Sequence, residues 1–255
     1  MDALARAAAL LRQLCQARGA RCIVVHGAGS FGHFQAKAHG VDAGFVGDTA
    51  GTESLRKGLC LTRLSVTKLN HLVTEELVKG GVPAVGMSPF GSWMTAGRTV
   101  SRANITALRD CLRAGYIPVL HGDCVLDSEQ HCTILSGDTV IEVLCQEFTP
   151  QRVVFLTDVD GIYDRPPDIP GAKLLDSIDI QPDGSLACAI QSNSLPHDTT
   201  GGIARKLGAA AAIITQSRGA TTVFICRLEG PGAEGACLRG LIGLAEGTQL
   251  SLAAP

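Results

Sequence analysis

Twenty residues, Arg21 to Gly40 (RCIVVHGAGSFGHFQAKAHG), limit most tightly what this chain can fold into. An apolar, β-branched run from Cys22 to Val25 reads as a buried strand. It stops abruptly at a loop in which Gly27, Gly29 and Gly32 leave backbone N–H groups uncovered, with His26 and His33 at its two ends. A helix is expected directly after the loop. Glycines at these spacings let the main chain approach an anion closely, and the helix offers its positive end to the same charge, so the stretch reads as a phosphate-binding loop.

The rest of the chain repeats the pattern of apolar strand, polar turn and helix. A polar passage from Val41 to Gly51 leads into a helical pattern through Leu55, Leu59, Leu64, Leu69, Leu72 and Leu77, stopped by Gly80-Gly81 and forming one long helix or two short ones. Val82 to Gly86 is a short strand, Ser88 to Thr99 a loop holding the single Trp93, and Ala103 to Ala114 a helix. A buried strand, Tyr116 to His121, ends in Gly122-Asp123. Cys124 to Leu135 reads as a hairpin turning at Asp127-Ser128-Glu129 and leading to Ser136-Gly137-Asp138, with Asp138 the N-cap candidate of a helix over Thr139 to Phe148. The continuous apolar strand Val153 to Thr157 empties into an acidic turn, Asp158 to Asp164. Gly171 to Pro196 is loop-rich. Thr199 to Gly202 opens a helix carrying Arg205 and Lys206, Thr222 to Cys226 is a strand, Gly230 to Gly235 a loop, and Gln249 to Leu252 a final strand.

Strands separated by helices, with polar turns at the strands' carboxyl ends, imply a three-layer α/β/α fold with a mostly parallel central sheet. Ligands of such folds sit outside those ends. The four polar clusters fall there: 26–33, 121–123 with 136–138, 157–164, and 199–206. At 255 residues the chain is read as a single domain.

Composition narrows the function. A net charge of -2 gives no global attraction for nucleic acid or an acidic membrane, and no run approaches the ~18 consecutive apolar residues of a membrane span. The ten cysteines are scattered without a C-x-x-C pair, and read as reduced, buried small hydrophobes of a cytoplasmic protein. His121, Cys124, His131 and Cys132 fit no standard zinc spacing, so no protein-held metal is expected. Arg6, Arg12, Arg18 and Arg21 against the single acid Asp2 raise the question of a presequence. Leu4, Leu11 and Leu14 on one stripe instead favour a helix packed on the domain.

Gly27 to Gly32 also fits G-x-G-x-x-G, but the dinucleotide fingerprint wants a second strand ending in an acid ~20 residues on, where Val41 to Glu53 is polar and poor in strand formers. No G-x-x-x-x-G-K-[ST] is present.

VVHGAGSFGH at 24–33, IPVLHGD at 117–123, ILSGD at 134–138, LTDVDGIY at 156–163 and TGGIARK at 200–206 resemble the amino acid kinase superfamily and, within it, the isopentenyl phosphate kinases. The match runs in order along nearly the whole chain, and the terminal histidine of GSFGH is its specific part. A related antibiotic-phosphorylating branch shares that histidine.

The resemblance implies ATP-dependent transfer of a phosphoryl group to isopentenyl phosphate, a phosphate monoester, with Mg2+ bound through the nucleotide and a homodimer as the assembly. An acceptor that is already an anionic nucleophile needs donors and alignment more than a general base. By similarity His33 binds the acceptor phosphate beside the Gly27 and Gly137 N–H groups. Ala28, Gly32, Asp158, Gly202 and Lys206 lie on the ATP side, Lys206 nearest the transferring group, with Asp138 orienting that lysine. The acceptor part then covers about residues 1–150 and the nucleotide part about 151–255. The isopentenyl tail is expected against apolar residues of the helix at 52–79, and His26 and His121 are expected to be structural.

The resemblance also implies a first strand and a K-x-G-G-S loop ahead of the helix with which this sequence opens. The expectation is therefore either an incomplete gene product or a degraded kinase that binds ligands without turnover. A kinase of the same superfamily acting on another small molecule is the remaining alternative.

Overall fold

The computed structural model describes residues 3–17, 19–44, 49–165, 167, 169–186 and 202–253. They divide into two compact units, one formed by Met1–Leu14 with Leu144–Pro255 and the other by Cys15–Val143.

In the 15–143 unit, β1 (Val24–His26), β2 (Ala84–Gly86) and β5 (Ile117–His121) form a parallel sheet in the order β1-β5-β2. β5 is buried at all five positions, which is why its sequence is apolar without alternation. The 31-residue helix α3 (Thr49–Lys79) lies against this sheet and against α2 (Gly29–Ala38). A second sheet, in the order β4-β3-β6-β7, is built from β3 (Met94–Ala96), β4 (Thr99–Arg102), β6 (Asp123–Asp127) and β7 (His131–Leu135). The helix α4 (Ile105–Arg113) is capped by the Asn104 side chain, which accepts the Ala107 N–H at 3.2 Å.

In the other unit, β8 (Arg152–Thr157), β9 (Ser177–Ile180), β10 (Thr222–Arg227) and β11 (Thr248–Leu252) form a sheet in the order β8-β10-β11-β9. It carries the helices α1 (Ala3–Gln16) and α6 (Gly202–Gln216); α5 (Gly137–Phe148) runs across the boundary between the units. Leu10 of α1 is buried with Phe224, Cys226, Ala233 and Ala236. Arg6 donates to the Leu228 and Gly230 carbonyls at 2.8 and 3.0 Å.

The parallel α/β reading holds, with five parallel pairings, β1/β5, β2/β5, β3/β6, β8/β10 and β9/β11, spread over three sheets. Several local readings change. Ser88 to Thr99 contains β3 and turns at Gly97-Arg98 into β4, because Asp127 of the neighbouring hairpin accepts the N–H groups of both turn residues. Gly171 to Pro196 contains β9, which pairs with the distant β11; its part from 187 to 196 lies outside the described residues, as do Thr199 to Gly201. Gly230 to Gly235 includes a helical turn, Gly232–Glu234.

The single long helix α3 keeps Leu55, Val66, Val73 and Leu77 buried but exposes Leu64 and Leu72, so the inward stripe runs 55, 59, 62, 66, 70, 73, 77 and not along every leucine. In α1 the fully buried positions are Ala8 and Leu10, with Leu4, Leu11 and Leu14 half-buried beside them. Cysteine burial is mixed: Cys124, Cys132, Cys145 and Cys226 are buried, whereas Cys15 and Cys60 are exposed.

Candidate active site

The parallel register sets His26 of β1 level with His121 of β5, so both strands end on one line. After β1 the chain turns through Gly27 and Ala28 and enters α2 at Gly29, whose φ of 51° is one that side chains rarely adopt. After β5 it turns at Gly122, whose N–H donates to the His26 carbonyl at 3.0 Å. A third turn arrives from β7, where α5 begins at Gly137.

The three turns meet. A Cβ placed on Gly122 would stand 3.4 Å from the Gly137 nitrogen and 3.5 Å from the Ala28 nitrogen, and one on Gly137 would stand 3.5 Å from the His26 carbonyl oxygen. The nitrogens of Ala28 and Gly137, at the starts of α2 and α5, thus converge on a hollow whose floor is Gly122. Each brings the partial positive charge of a helix N-terminus to the same point. Such an arrangement receives an oxyanion.

His33 is exposed and lies four residues along α2 from Gly29, on the same side of the helix. Gly32 is buried; a Cβ there would come within 2.7 Å of Ala28 Cβ and 3.4 Å of Val66, so glycine lets α2 sit close on α3. Asp138 is not the N-cap of α5. The helix starts one residue earlier, and Ser136 Oγ accepts the Thr139 N–H at 3.1 Å, leaving Asp138 in the first turn, half-buried.

Next to these turns lie the two histidines read as structural and a third side chain, Asn70, that escapes a local reading of the sequence. The His26 and His121 rings stack with centroids 5.6 Å apart and planes at 19°. Asn70 Nδ2 lies 3.1 Å from His26 Nε2 and donates to the Val119 carbonyl at 3.1 Å. Burial, with His121 adding to it, pulls the His26 pKa below its usual value against the raising effect of the Gly27 carbonyl. Beside them Asp123, whose side chain is fully buried, is paired with Arg63 and accepts the Ser88 hydroxyl at 2.7 Å and its neighbour Cys124 N–H at 2.8 Å. The Arg63 guanidinium lies over the Phe90 ring at 4.4 Å. The available signal was phase: Thr62 and Asn70 are the polar residues on the inward stripe of α3.

A cavity of about 260 Å³ opens in the same unit between Gly86, Met87, Ser88, Trp93, Leu108 and Leu120. No α3 residue lines it.

In the other unit, β8 and β10 also end level, with Thr157 opposite Arg227. Thr157 Oγ1 closes a tight turn with Val159, leaving Asp158 exposed. Arg227 donates to Asp160 at 2.7 Å and Tyr163 donates to the same carboxylate at 3.0 Å; the Arg227 hydrogen bond is the main reason its pKa lies below the usual range. Asp164 accepts the Lys173 N–H at 2.9 Å. A Cβ on Gly161 would meet Thr248 Oγ1 at 2.6 Å, where that hydroxyl accepts the Ile162 N–H. Lys206 is half-buried, one turn inside α6 from Gly202. The sequence-read residues therefore divide between the units, Gly27, Ala28, Gly32, His33, Gly137 and Asp138 in one, Asp158, Gly202 and Lys206 in the other.

The parallel α/β scaffold is that of the amino acid kinases: residues 1–227 match the model of that family, and the chain belongs to it. Within it, the relatives include isopentenyl phosphate kinases, at 27 to 44% identity, and acetylglutamate kinases, at 26 to 28%. The isopentenyl phosphate kinase of Arabidopsis thaliana is 44% identical over 206 residues, 75% of this chain and 60% of the relative. That of Methanothermobacter thermautotrophicus is 38% identical over 192 residues, 72% of this chain and 69% of the relative. A solved structure of an isopentenyl phosphate kinase superposes with a TM-score of 0.79 at 29% identity, covering 98% of this chain and 90% of that one. The chain thus spans about 60% of the length of the Arabidopsis relative.

Proposed function

We propose that this protein transfers a phosphoryl group from ATP to isopentenyl phosphate, giving isopentenyl diphosphate for isoprenoid synthesis. The observation that carries the reading is the meeting of the Ala28 and Gly137 nitrogens over Gly122, in a chain with relatives named for that reaction. The acceptor phosphate sits in this hollow, with Gly27 beside it and His33 donating from α2. ATP is held by Ala28, whose N–H stands between the two phosphates, and by Gly32, Asp158, Gly202 and Lys206, and Lys206, oriented by Asp138, neutralises charge on the group in transfer. Magnesium comes with the nucleotide, held by its phosphates, and supplies further neutralisation; among the described residues no group of three His, Cys, Asp or Glu side chains stands together as a metal site.

On this reading residues from about 1 to 150 form the acceptor part and those from about 151 to 255 the nucleotide part of one catalytic domain, with Ala28 and Gly32 of the former also serving the nucleotide. The working form is a cytoplasmic homodimer. Its support is the absence of disulfides among the described cysteines and the exposed Leu64 and Leu72 on α3; sedimentation velocity checks the dimer.

The deciding experiment is a kinase assay with isopentenyl phosphate and a panel of carboxylate and alcohol acceptors. It compares the 255-residue chain with a version extended by the family's first strand and K-x-G-G-S loop. Transfer to isopentenyl phosphate is expected, reduced by about 10² to 10³ in His33→Ala and Lys206→Ala. No transfer from either version, or preference for another acceptor, overturns the reading.

A further inference from the structure

The stacked imidazoles lie directly behind the hollow. Gly27 and Gly122 carbonyls lie 2.9 Å from the Nδ1 atoms of His26 and His121, each histidine facing the carbonyl of the residue that follows it. A carbonyl only accepts, so in both rings Nδ1 carries the proton. In a trans peptide the C=O of one residue and the N–H of the next point in opposite directions. Anchoring the Gly27 oxygen on the His26 ring therefore fixes the direction in which Ala28 presents its N–H. The Gly122 N–H on the His26 carbonyl fixes the preceding peptide, and with it the Gly27 N–H.

What holds His26 in that form is Asn70. The Val119 carbonyl accepts from Nδ2, so the amide cannot be turned over without setting Oδ1 against another acceptor. With its orientation decided, Asn70 offers its second Nδ2 hydrogen to His26 Nε2, which must then be the bare nitrogen. Oδ1 occupies the space left by Gly86, where a Cβ would approach it to 2.6 Å. The His121 ring has no exposed surface, and its Nε2 has no hydrogen-bond partner among the described residues, standing 3.7 Å from Asp123 Oδ2.

We propose that Asn70 and His26 are positioning residues for phosphate binding: the Val119 carbonyl sets the Asn70 amide, Asn70 sets the His26 tautomer, and His26 sets the peptide that presents the Ala28 N–H. The proposal rests on the reading that the Ala28–Gly122–Gly137 hollow receives the acceptor phosphate. It deepens that reading by naming two side chains that act on the anion without touching it.

The test joins a spectroscopic and a binding measurement on the full chain. Nitrogen-15 spectra of the imidazoles at pH 7.5 should show His26 neutral with the proton on Nδ1, and Asn70→Leu should shift it toward a mixture of tautomers. Calorimetric titration with isopentenyl phosphate should show affinity falling about tenfold in Asn70→Leu and in His26→Phe, which keeps the ring stack and removes both nitrogens. Melting temperatures within a few degrees of wild type would separate this from a loss of fold. A wild-type His26 protonated on Nε2, or wild-type affinity in both variants, overturns the proposal. Should either variant fail to fold, the wild-type tautomer still decides it. A wild-type chain with the expected tautomer that binds no isopentenyl phosphate overturns the reading of the hollow and leaves the tautomer assignment standing.

Discussion

At the scale of single residues, the site is built from what is missing as much as from what is present. Gly122 has no side chain because a methyl group there would fill the space between the Ala28 and Gly137 nitrogens. At 3.4 to 3.6 Å from its neighbours that methyl makes tight to ordinary contacts. Gly122→Ala is therefore expected to fold with little change in melting temperature while weakening isopentenyl phosphate binding ten- to a hundredfold, about 1.4 to 2.8 kcal/mol, by calorimetry. Asp127 shows the opposite economy. Its buried carboxylate accepts the N–H groups of Gly97, Arg98, Glu129 and Gln130, tying two turns together. Burial alone would raise its pKa, but those N–H groups outweigh it and hold the carboxyl well below the usual range. A depressed folded pKa gives stability that is present above the unfolded value of about 3.9 and drains away as pH falls below it. Asp127→Ala should cost about 2 to 4 kcal/mol in urea unfolding at pH 7, and the variant should lose part of the wild-type decline in stability between pH 4 and pH 2.

At the scale of elements, α3 decides the most and is the hardest to phase. Its leucines are distributed around the helix, and counting them alone assigns Leu64 and Leu72 to the core. The inward stripe instead carries Val66 and Val73 among the leucines and admits Thr62 and Asn70. Val66→Ala is expected to cost about 2 kcal/mol by urea denaturation, and Leu64→Ala less than about 0.5 kcal/mol; the reverse order would mean the helix is turned. The strands tell a similar story. The apolar runs at 116–121, 153–157 and 222–226 were legible because they are continuous; β5 is buried throughout and β10 at its four central positions, while β8 is half-buried except at Phe155. β3, β4 and β9 were not. They are three or four residues long, too short to carry a clear pattern; β3 and β9 hold their places through pairings with the distant β6 and β11, and β4 through its turn onto β3.

At the scale of the whole molecule, the first helix belongs with the last hundred residues. Leu10 is buried among Phe224, Cys226, Ala233 and Ala236, and Arg6 spans more than 220 positions of sequence to reach the Leu228 and Gly230 carbonyls. Leu10→Ala should destabilise by about 2 to 4 kcal/mol, read by urea denaturation, with limited proteolysis cutting first within 144–253. The longer strands and helices, the glycine turns at the strand ends and the motifs that mark the family were determined by sequence alone, because each rests on a short run of chain, on backbone preferences and on turns that only certain residues allow. The tertiary structure alone decided which side of α3 faces inward, that Asn70 meets His26 across 44 residues, and that Arg63 meets Asp123 across 60. Those contacts depend on the register between strands and the angle of a helix laid over them. No local pattern encodes either, because both are fixed only when the whole sheet and its covering helix pack together.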